Sequence, residues 1–382
     1  IFTSSETAPG KGDWGGIRLF KDGTKGVFEH MILEYSGYGI FLGRDGYWYN
    51  SLELELRNSR ITHSGGYGLR YNGGPSSKIT VEDTGFLDIE GRDNYAIRIY
   101  TGGNKGVEVV LRRSKIMNSS GGGIKLEYVE KVVIEDNEIS NNKSARIRFE
   151  QSYGDVTFKN NKIENNENGS VSVSGARIDD INYIFDGNSI VESSGGNMAG
   201  FDFHFNFSSN ISVSNNIIKV RGDGVRVYSE KTVSIKIADN TITGTSLEGA
   251  GINVRGKTKA IIENSTIENK QNGIRVEYDD VNGDGSSVIK GNVIKGHNGY
   301  GIRVESYAKP VISLNDIEGN SGYFVDNQTT YTVDARNNWW GETLKTTIES
   351  GDNPRALDKF YDQFDDSTKG LINYAGWLSA TA

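Results

Sequence analysis

Residues 232–257, TVSIKIADNTITGTSLEGAGINVRGK, contain one complete copy of the unit that this chain repeats. A strand with alternating apolar residues begins the unit, an Asn-x-Ile corner follows at Asn240, and a glycine-rich turn leads to a second strand that opens with Gly251-Ile252. The first apolar residue of this second strand recurs every 22 to 30 residues, at Ile17, Ile40, Leu69, Ile97, Ile124, Ile147, Val171, Phe201, Val225, Ile252, Ile274, Ile302 and Phe324. A repeat of this length predicts a solenoid and not a conventional globular domain.

The repeat is made of strands and turns, because the apolar residues within each copy follow the two-residue period of a strand. The helical stripe of a leucine-rich or βαβ array is absent, and so is the LxxLxLxxN pattern. Only 35% of the residues are hydrophobic, which is enough for a solenoid because each coil buries only a narrow inner stack. We therefore predict an all-β fold, a single-stranded right-handed parallel β-helix of about thirteen coils over residues 1–330.

The repeat ends before residues 331–382, which are rich in tryptophan and include Trp339 and Trp340. An open solenoid end exposes a sheet edge and an apolar stack, so it needs a cap. We predict that residues 331–382 form a C-terminal cap with a short amphipathic helix over residues 354–364.

The chain is acidic, with a net charge of −8, which disfavours nucleic acid or an anionic membrane as the main partner. It has no cysteine, so disulfide bonds contribute nothing to its stability. No apolar run approaches the length of a membrane span, and we expect no membrane insertion. The first residues are typical of the interior of a coil, so we expect a further segment to precede residue 1.

Asparagine recurs at the corner of the repeat. Asparagine tolerates a left-handed backbone, and stacked asparagine side chains can bond from coil to coil. This structural role accounts for Asn137, Asn161, Asn188, Asn240 and Asn292 without any chemistry.

Three features of the chain together resemble secreted right-handed parallel β-helix repeat proteins of bacteria and archaea. They are the opening residues 1–17, which end in GDWGGI, the Asn-x-Ile and Gly-Ile coils, and the ending that starts with NNWWG at residues 337–341. The resemblance implies an extracellular or cell-surface location and a carbohydrate ligand. It implies no catalytic residue, because that group contains lyases, glycosidases, epimerases, tailspikes, adhesins and cell-surface proteins.

The motif sets of the enzymatic branches do not appear. The combined Asn-Thr-Asp, Asp-Asp, Gly-His-Gly and Arg-Ile-Lys set of polygalacturonase-like hydrolases is missing, and so is the Asp-Pro-His signature of alginate-type epimerases. The four histidines, His30, His63, His204 and His297, stand in other contexts. The enzyme hypothesis is therefore weaker than a binding hypothesis.

The outward side of the Gly-Ile strand is mostly basic, although the chain is acidic overall. The residues that follow the inward apolar position are Arg18, Phe41, Arg70, Arg98, Lys125, Arg148, Ser172, Asp202, Arg226, Asn253, Arg275 and Arg303. These side chains form either a solvated, charge-paired face or a groove for uronate or sulfated sugars, since arginine binds carboxylates bidentately. Under the second interpretation Arg226, Tyr228, Arg275 and Arg303 bind carbohydrate.

Residues 200–207, GFDFHFNF, alternate strongly between phenylalanine and polar residues. We expect the phenylalanines to fill a wide section of the core. Asp202 and His204 then point outward beside Arg226 of the next coil, and these three residues are the best catalytic candidates in the chain.

Two loops are further binding candidates. Tyr47, Trp48 and Tyr49 form an aromatic loop that either stacks on sugar rings or covers the N-terminal coils. Asp280, Asn282 and Asp284 match the first half of a calcium loop, although Gly291 replaces the glutamate that an EF-hand requires. The alternative for this second loop is a solvated acidic turn, and calcium is the one cofactor that we predict.

Three hypotheses of function follow. The first is a non-catalytic extracellular module that binds polysaccharide or attaches a cell to it. The second is a polysaccharide lyase or glycoside hydrolase that acts on an acidic polymer. The third is a structural protein of a surface layer or filament, in which the rod packs against copies of itself.

Overall fold

The structure is a computed structural model that describes residues 1–44, 51–93, 95–192, 198–282 and 285–382. The chain divides into two compact units, residues 1–196 (unit 1) and residues 197–382 (unit 2). Each unit is a solenoid of parallel strands, and the two contain about twelve turns, close to the predicted thirteen. The prediction of an all-β parallel solenoid is confirmed.

Unit 1 is built from triplets of strands, one triplet per coil. Its strands are β1 (Ile17–Leu19), β2 (Lys25–Glu29), β3 (Ile32–Glu34), β4 (Ile40–Gly43), β5 (Glu53–Arg57), β6 (Arg60–Thr62), β7 (Leu69–Asn72), β8 (Ser77–Glu82), β9 (Gly85–Leu87), β10 (Tyr95–Tyr100), β11 (Val107–Arg112), β12 (Lys115–Met117), β13 (Gly123–Glu127), β14 (Lys131–Glu135), β15 (Glu138–Ser140), β16 (Ala145–Ser152), β17 (Val156–Lys159), β18 (Lys162–Asn166), β19 (Gly169–Ala176), β20 (Ile181–Asp186) and β21 (Ser189–Glu192). Each strand from β1 to β18 pairs in parallel with the third strand after it, which gives three strand columns that begin with β1, β2 and β3.

Unit 2 repeats this arrangement, except that two long strands run through both the first and the second column. Its elements are β22 (Phe201–Phe205), β23 (Ser209–Ser214), β24 (Ile217–Val220), β25 (Val225–Ala238), β26 (Thr241–Gly244), β27 (Ala250–Glu263), β28 (Thr266–Glu268), β29 (Asn272–Tyr278), β30 (Val288–Lys290), β31 (Val293–Lys295), β32 (Ile302–Ser306), β33 (Val311–Ser313), β34 (Asp316–Glu318), β35 (Val325–Asn327), β36 (Val333–Asp334), α1 (Gly341–Glu349), β37 (Phe360–Tyr361) and β38 (Ile372–Asn373). The first column contains β22, β25, β27, β29, β32, β35 and β37.

The core consists of the inward residues of the strands, stacked coil on coil. In unit 1, Ile40 pairs with Leu69, Leu69 with Ile97, and Ile97 with Ile124, as the repeat predicts. All of these side chains are buried, and burying such a residue contributes about 1.5–3 kcal/mol. One position of the predicted stack is wrong, because Ile302 pairs with Val325 and not with its neighbour Phe324.

Asparagine side chains bond from coil to coil at the corner between the second and third columns, as predicted. Asn137 Nδ2 donates to Asn161 Oδ1 (2.9 Å), and Asn161 Nδ2 donates to Asn188 Oδ1 (3.1 Å). In unit 2, Asn292 Nδ2 donates to Asn315 Oδ1 in the same way (2.9 Å). These amides also satisfy buried backbone groups, which would otherwise destabilise the tight corner.

The left-handed residue of this corner is the one before the ladder asparagine. Asp136, Asn160 and Asp239 have φ values of 58°, 52° and 57°. The expectation that the ladder asparagine itself takes the left-handed conformation is therefore wrong. Its side chain is needed for the ladder, so the preceding Asp, Asn or Gly makes the turn.

Residues 331–382 pack on the last coils of unit 2. Strands β37 and β38 continue the first and second columns by pairing with β35 and β36. Trp340 is 1% exposed, and its ring meets that of Phe360 edge to face at 4.9 Å. Trp340 and Phe360 are thus both buried in the segment where the sequence predicts a cap.

The helix predicted over residues 354–364 is wrong. The helix lies earlier, at Gly341–Glu349, and buries Leu344 and Ile348. In the predicted segment Phe360–Tyr361 forms a strand on β35, so pairing with the solenoid prevails over the local amphipathic pattern. Among the described residues no helix is long and apolar enough to cross a membrane.

Candidate functional site

The outward basic column predicted from the sequence is in register in unit 1. Cα pairings join Arg18 to Phe41, Phe41 to Arg70, Arg70 to Arg98, Arg98 to Lys125, and Lys125 to Arg148. Four consecutive coils therefore present a cation at the same position, with a rung spacing of about 4.8 Å. We call Arg70, Arg98, Lys125 and Arg148 the basic strip.

Two glutamates lie among the last three cations of the basic strip. Glu127 is 3.2 Å from Arg98 and 3.1 Å from Lys125, and Glu150 is 3.0 Å from Lys125 and 2.7 Å from Arg148. Burial lowers the pKa of Lys125, but its hydrogen bonds and its attraction to these glutamates outweigh burial, so that its pKa lies above the ordinary value. Lys125 is thus charged at neutral pH.

Aromatic rings border the basic strip on its N-terminal side. The guanidinium of Arg70 lies over the Phe41 ring at 4.6 Å, and the Tyr38 and Tyr67 rings stack at 6.3 Å. Tyr67 Oη lies 3.4 Å from Arg98 Nη1. A guanidinium over a ring face is held in place by its attraction to the ring.

Sequence reasoning missed these tyrosines. Their signal was a tyrosine two residues before the first apolar residue of the strand, which occurs in Tyr38-Gly39-Ile40, Tyr67-Gly68-Leu69 and Tyr95-Ala96-Ile97. Because a fixed place in the repeat becomes a column in the solenoid, this pattern predicts neighbouring rings.

The second strand column of unit 1 has a different outward face. Its last outward position carries residues of alternating charge on seven consecutive strands, namely Glu29, Arg57, Glu82, Arg112, Glu135, Lys159 and Asp186. Direct pairs form between Arg57 and Glu82 (3.3 Å) and between Arg112 and Glu135 (3.1 Å). On this face opposite charges adjoin on neighbouring rungs, whereas the basic strip stacks like charges on neighbouring rungs and is compensated only from the side, by Glu127 and Glu150.

In unit 2 the outward face of the first strand column is also in register, but it carries both signs of charge. Its outward residues on consecutive strands are Asp202, Arg226, Asn253, Arg275, Arg303 and Asp326. Arg226 Nε donates to Asp223 Oδ2 (2.9 Å), and Arg226 Nη1 lies 3.7 Å from Asp202 Oδ2. Arg226 is thus held between two carboxylates.

Arg275 and Arg303, two other predicted sugar ligands, also have carboxylate partners. Arg275 pairs with Glu305 through Nε and with Glu277 through Nη2 (3.0 Å). Arg303 lies 2.9 Å from Glu305 and 3.5 Å from Asp326. In unit 2 the predicted column is therefore charge-paired, which is the solvated-face alternative.

The catalytic candidates Asp202 and His204 share the outward face of β22. Burial raises the pKa of the Asp202 carboxyl, and attraction to Arg226 opposes that rise. The exposed His204 packs against Tyr228, with ring centroids 4.9 Å apart. Among the described residues no hydrogen bond joins Asp202 to His204. Asp202 lies beside Arg226 of β25, and His204 lies beside Tyr228 of the same strand.

Three of the four phenylalanines in residues 200–207 lie in the core, as expected, whereas Phe207, which follows β22, is only half-buried. Phe201, Phe203 and Phe205 are all fully buried, and their rings stack with centroids 5.9 and 6.2 Å apart. They fix the direction of β22, and Asp202 and His204 must therefore point outward.

The whole repeat region of the chain matches a known family of proteins. The family model described as "right handed beta helix region" matches residues 15–218, 95–250 and 223–381. The chain belongs to the right-handed β-helix family. No curated protein and no solved structure matches it, so the function of this right-handed β-helix must be argued from its surfaces.

Two predicted sites of this β-helix are described in part or not at all. Tyr47, Trp48 and Tyr49 lie outside the described residues. In the predicted calcium loop, Asp280 Oδ2 is 3.0 Å from Lys257 Nζ, and Asp280 Oδ1 accepts a hydrogen bond from the Asn282 N–H (3.1 Å). Asp284 is not described, and elsewhere in the described chain no three carboxylates or histidines are grouped to hold a metal ion.

Proposed function

We propose that this right-handed β-helix is a non-catalytic, extracellular module that binds an acidic polysaccharide, and that it does so through the basic strip of unit 1. Membership of the β-helix family fits a carbohydrate-associated surface protein. The location outside the cell and the carbohydrate partner are both part of the proposal.

The observation that carries the proposal is the contrast between two outward faces of unit 1. The second strand column alternates charges and needs no external partner. The basic strip places four cations on consecutive rungs, with Glu127 and Glu150 among the last three and Asp93 3.9 Å from Arg98, so that cations outnumber carboxylates and a bound anion can balance the excess. A polymer with carboxylates or sulfates at regular intervals matches such a column, and arginine binds these groups in a planar, bidentate way.

The rings beside the basic strip support a sugar polymer over other polyanions. The half-buried Tyr38 lies next to Arg70, and sugar rings present apolar faces that pack on aromatic side chains.

The test is retention of the chain on polygalacturonate and alginate, with Arg148→Ala and Arg112→Ala as matched variants. Both arginines are exposed to the same degree (37% and 38%) and each pairs with one glutamate, but only Arg148 belongs to the basic strip. We expect Arg148→Ala to weaken retention about threefold to tenfold, and added salt to weaken it further. Equal retention of both variants would remove the basic strip as the site.

The second candidate function is a lyase or hydrolase, and one observation favours it. Burial raises the pKa of Asp202, as a general acid requires, and this carboxyl lies 3.7 Å from Arg226. The same retention assay distinguishes the two functions if released sugars are measured alongside bound protein. If the parent chain releases unsaturated or shortened sugars and Asp202→Asn does not, the chain is an enzyme and the binding proposal is wrong.

A further inference from the structure

A groove in unit 1 lies beside the basic strip, on the turns that lead into the first strand column. It has a volume of about 630 Å³ and is bounded by Lys11, Tyr38, Glu90 and Arg92. We call it the glycine groove, because glycines from successive coils form its floor. Its volume is within the range of about 300–1,000 Å³ that is usual for ligand sites.

The floor of the glycine groove has no side chains because the coils approach too closely. Gly91 N–H donates to Gly66 O (3.0 Å), and Gly65 N–H donates to Ser36 O (2.9 Å). A Cβ added at Gly66 would lie 2.6 Å from Gly37 O, and one at Gly91 would lie 2.3 Å from Gly121 O. Backbone amides therefore line a channel that runs along the solenoid, where a ligand can approach the main chain closely.

Tyr38 forms the wall between the glycine groove and the basic strip. Its half-buried ring stacks on Tyr67 at 6.3 Å, and its hydroxyl lies 3.4 Å from Arg92 Nη1. The guanidinium of Arg70, the first cation of the basic strip, is 6.0 Å from the centre of the same ring. The ring is thus fixed from two sides and borders both surfaces.

The charges around the glycine groove are balanced, in contrast to those of the basic strip. Lys11 Nζ is paired with Asp88 Oδ1 at 2.7 Å, and the exposed Glu90 and Arg92 carry opposite charges. Ser120 Oγ donates to Glu90 O (2.8 Å) and leaves its oxygen as an acceptor. Donors and acceptors of both signs around an aromatic wall suit an uncharged ligand with many hydroxyl groups.

We propose that the glycine groove binds an uncharged hexose segment, lying along the solenoid with one sugar ring against Tyr38. This inference rests on the proposed function in taking a glycan as the ligand, and it adds a second site with a different sugar preference. A polymer that contains both neutral and acidic sugars can occupy the groove and the basic strip together, because Tyr38 borders both.

The test is calorimetric titration with cellohexaose, maltohexaose and mannohexaose, and separately with hexagalacturonate. Gly65→Leu is the informative variant, because a Cβ there meets only Lys11 and Gly12 at 3.6 Å and its side chain then fills the groove. Gly15→Leu is the matched control, because a Cβ at that exposed position meets nothing within 4 Å. Tyr38→Ala removes the wall while leaving the floor intact, and it serves if Gly65→Leu fails to fold.

We expect at least one neutral hexasaccharide to bind, and Gly65→Leu and Tyr38→Ala to weaken it about tenfold or more while Gly15→Leu does not. Binding of hexagalacturonate should respond to Arg148→Ala and remain within about twofold in Gly65→Leu. Absence of binding by all three neutral probes overturns the inference, and so does equal loss in Gly65→Leu and Gly15→Leu. The proposed function fails separately, if hexagalacturonate binding is unchanged in Arg148→Ala.

Discussion

His297 Nδ1 accepts a hydrogen bond from the backbone N–H of Lys270 at 3.3 Å. In unit 1 an asparagine makes the equivalent contact, where Asn142 Oδ1 accepts from the Ser119 N–H at 3.0 Å. The backbone N–H of His297 in turn donates to Asn320 Oδ1 (3.0 Å), so His297 takes the place of an asparagine in the ladder at this second corner. An imidazole in this place can be protonated, whereas the amide it replaces cannot.

Stability should therefore fall in mild acid because of His297. Its side chain is 1% exposed, and burial, with repulsion from the Lys270 ammonium, lowers its pKa to about 4 although its hydrogen bonds oppose the shift. The unfolded chain takes up this proton below about pH 6.5, whereas the folded chain takes it up only near pH 4. Above about pH 6.5 His297 is neutral in both states and does not reduce stability. As the pH falls from 6.5 to 4, its titration lowers the free energy of unfolding by up to about 3 kcal/mol.

His297→Asn restores the amide of the ladder and should remove this part of the acid sensitivity. Urea unfolding of both proteins at several pH values between 4 and 7 measures it. The difference in unfolding free energy between variant and parent should change across this range, because all other titrating groups are shared. Parallel pH profiles would mean that His297 does not titrate with folding.

The ladder amide of Asn161 should contribute strongly to stability. Its Oδ1 accepts from the Asn137 N–H (3.1 Å), and its Nδ2 donates to Ile134 O (2.9 Å) and to Asn188 Oδ1 (3.1 Å). Asn161→Ala leaves these buried partners unsatisfied, at about 1–3 kcal/mol each, so we expect a loss of at least about 3 kcal/mol in urea unfolding.

Asn182→Ala is the matched control for that experiment. Asn182 lies in the same unit but is exposed, and its Nδ2 bonds to Asp155 Oδ1 (3.1 Å) at the surface. We expect a loss of under about 1 kcal/mol, because water replaces the amide. Similar losses in both variants would show that burial of the ladder adds nothing.

The ammonium of Lys270 should stabilise a turn of unit 2 from inside. Lys270 is 0% exposed, and Nζ donates to three consecutive carbonyls, Val220 O (2.8 Å), Arg221 O (3.1 Å) and Gly222 O. Lys270→Met keeps the apolar stem and removes the donors, and we expect a loss of about 3–5 kcal/mol in unfolding free energy.

Lys359 provides the control for Lys270. Its Nζ also donates to three consecutive carbonyls, those of residues 320–322 (3.0–3.2 Å), but the side chain is only half-buried. Water can reach these carbonyls, and Lys359→Met should therefore lose under about 1 kcal/mol. If both variants lose the same amount, burial is not what makes Lys270 important.

The repeat in the sequence predicts the fold because residues at equivalent positions of successive repeats stack on one another in successive coils. Once each Gly-Ile strand adds one rung, the inward stack from Ile40 to Ile147 and the ladder from Asn137 to Asn188 follow, and the structure shows both. The error at Phe324 arises where two apolar residues adjoin, since either could begin the strand. The error in the helix arises because strand pairing at Phe360 depends on contacts distant in sequence.

The charge state of the candidate site is less predictable, because it depends on residues outside the repeating positions. Arg226 and Arg70 occupy equivalent places, but Asp223 comes from the turn before β25 and binds Arg226, whereas Arg70 lies over the Phe41 ring. Turn residues vary from coil to coil, and the sequence alone does not show how far their side chains reach. Glutamates two residues after the cations pair with them in both columns, and turn residues such as Asp223 add the further carboxylates that compensate the arginines of unit 2.

Calcium should bind the loop at Asp280 and Asn282 only by displacing a lysine. Lys257 Nζ lies 3.0 Å from Asp280 Oδ2, so the carboxylate that a calcium ion needs is already paired. We propose that millimolar calcium raises the melting temperature relative to chelator, and that Lys257→Met enlarges the shift because the lysine no longer competes for the carboxylate.

Asp280→Asn should abolish the calcium shift, since an amide carries no charge to balance the ion. Asp239→Asn is the control, because Asp239 is an exposed left-handed corner residue that asparagine replaces without strain. Melting curves of the parent chain and the three variants, recorded with calcium, magnesium and chelator, measure the calcium shift. A shift that survives in Asp280→Asn would place the ion elsewhere, and no shift even in Lys257→Met would identify the loop as a solvated acidic turn whose charge Lys257 already balances.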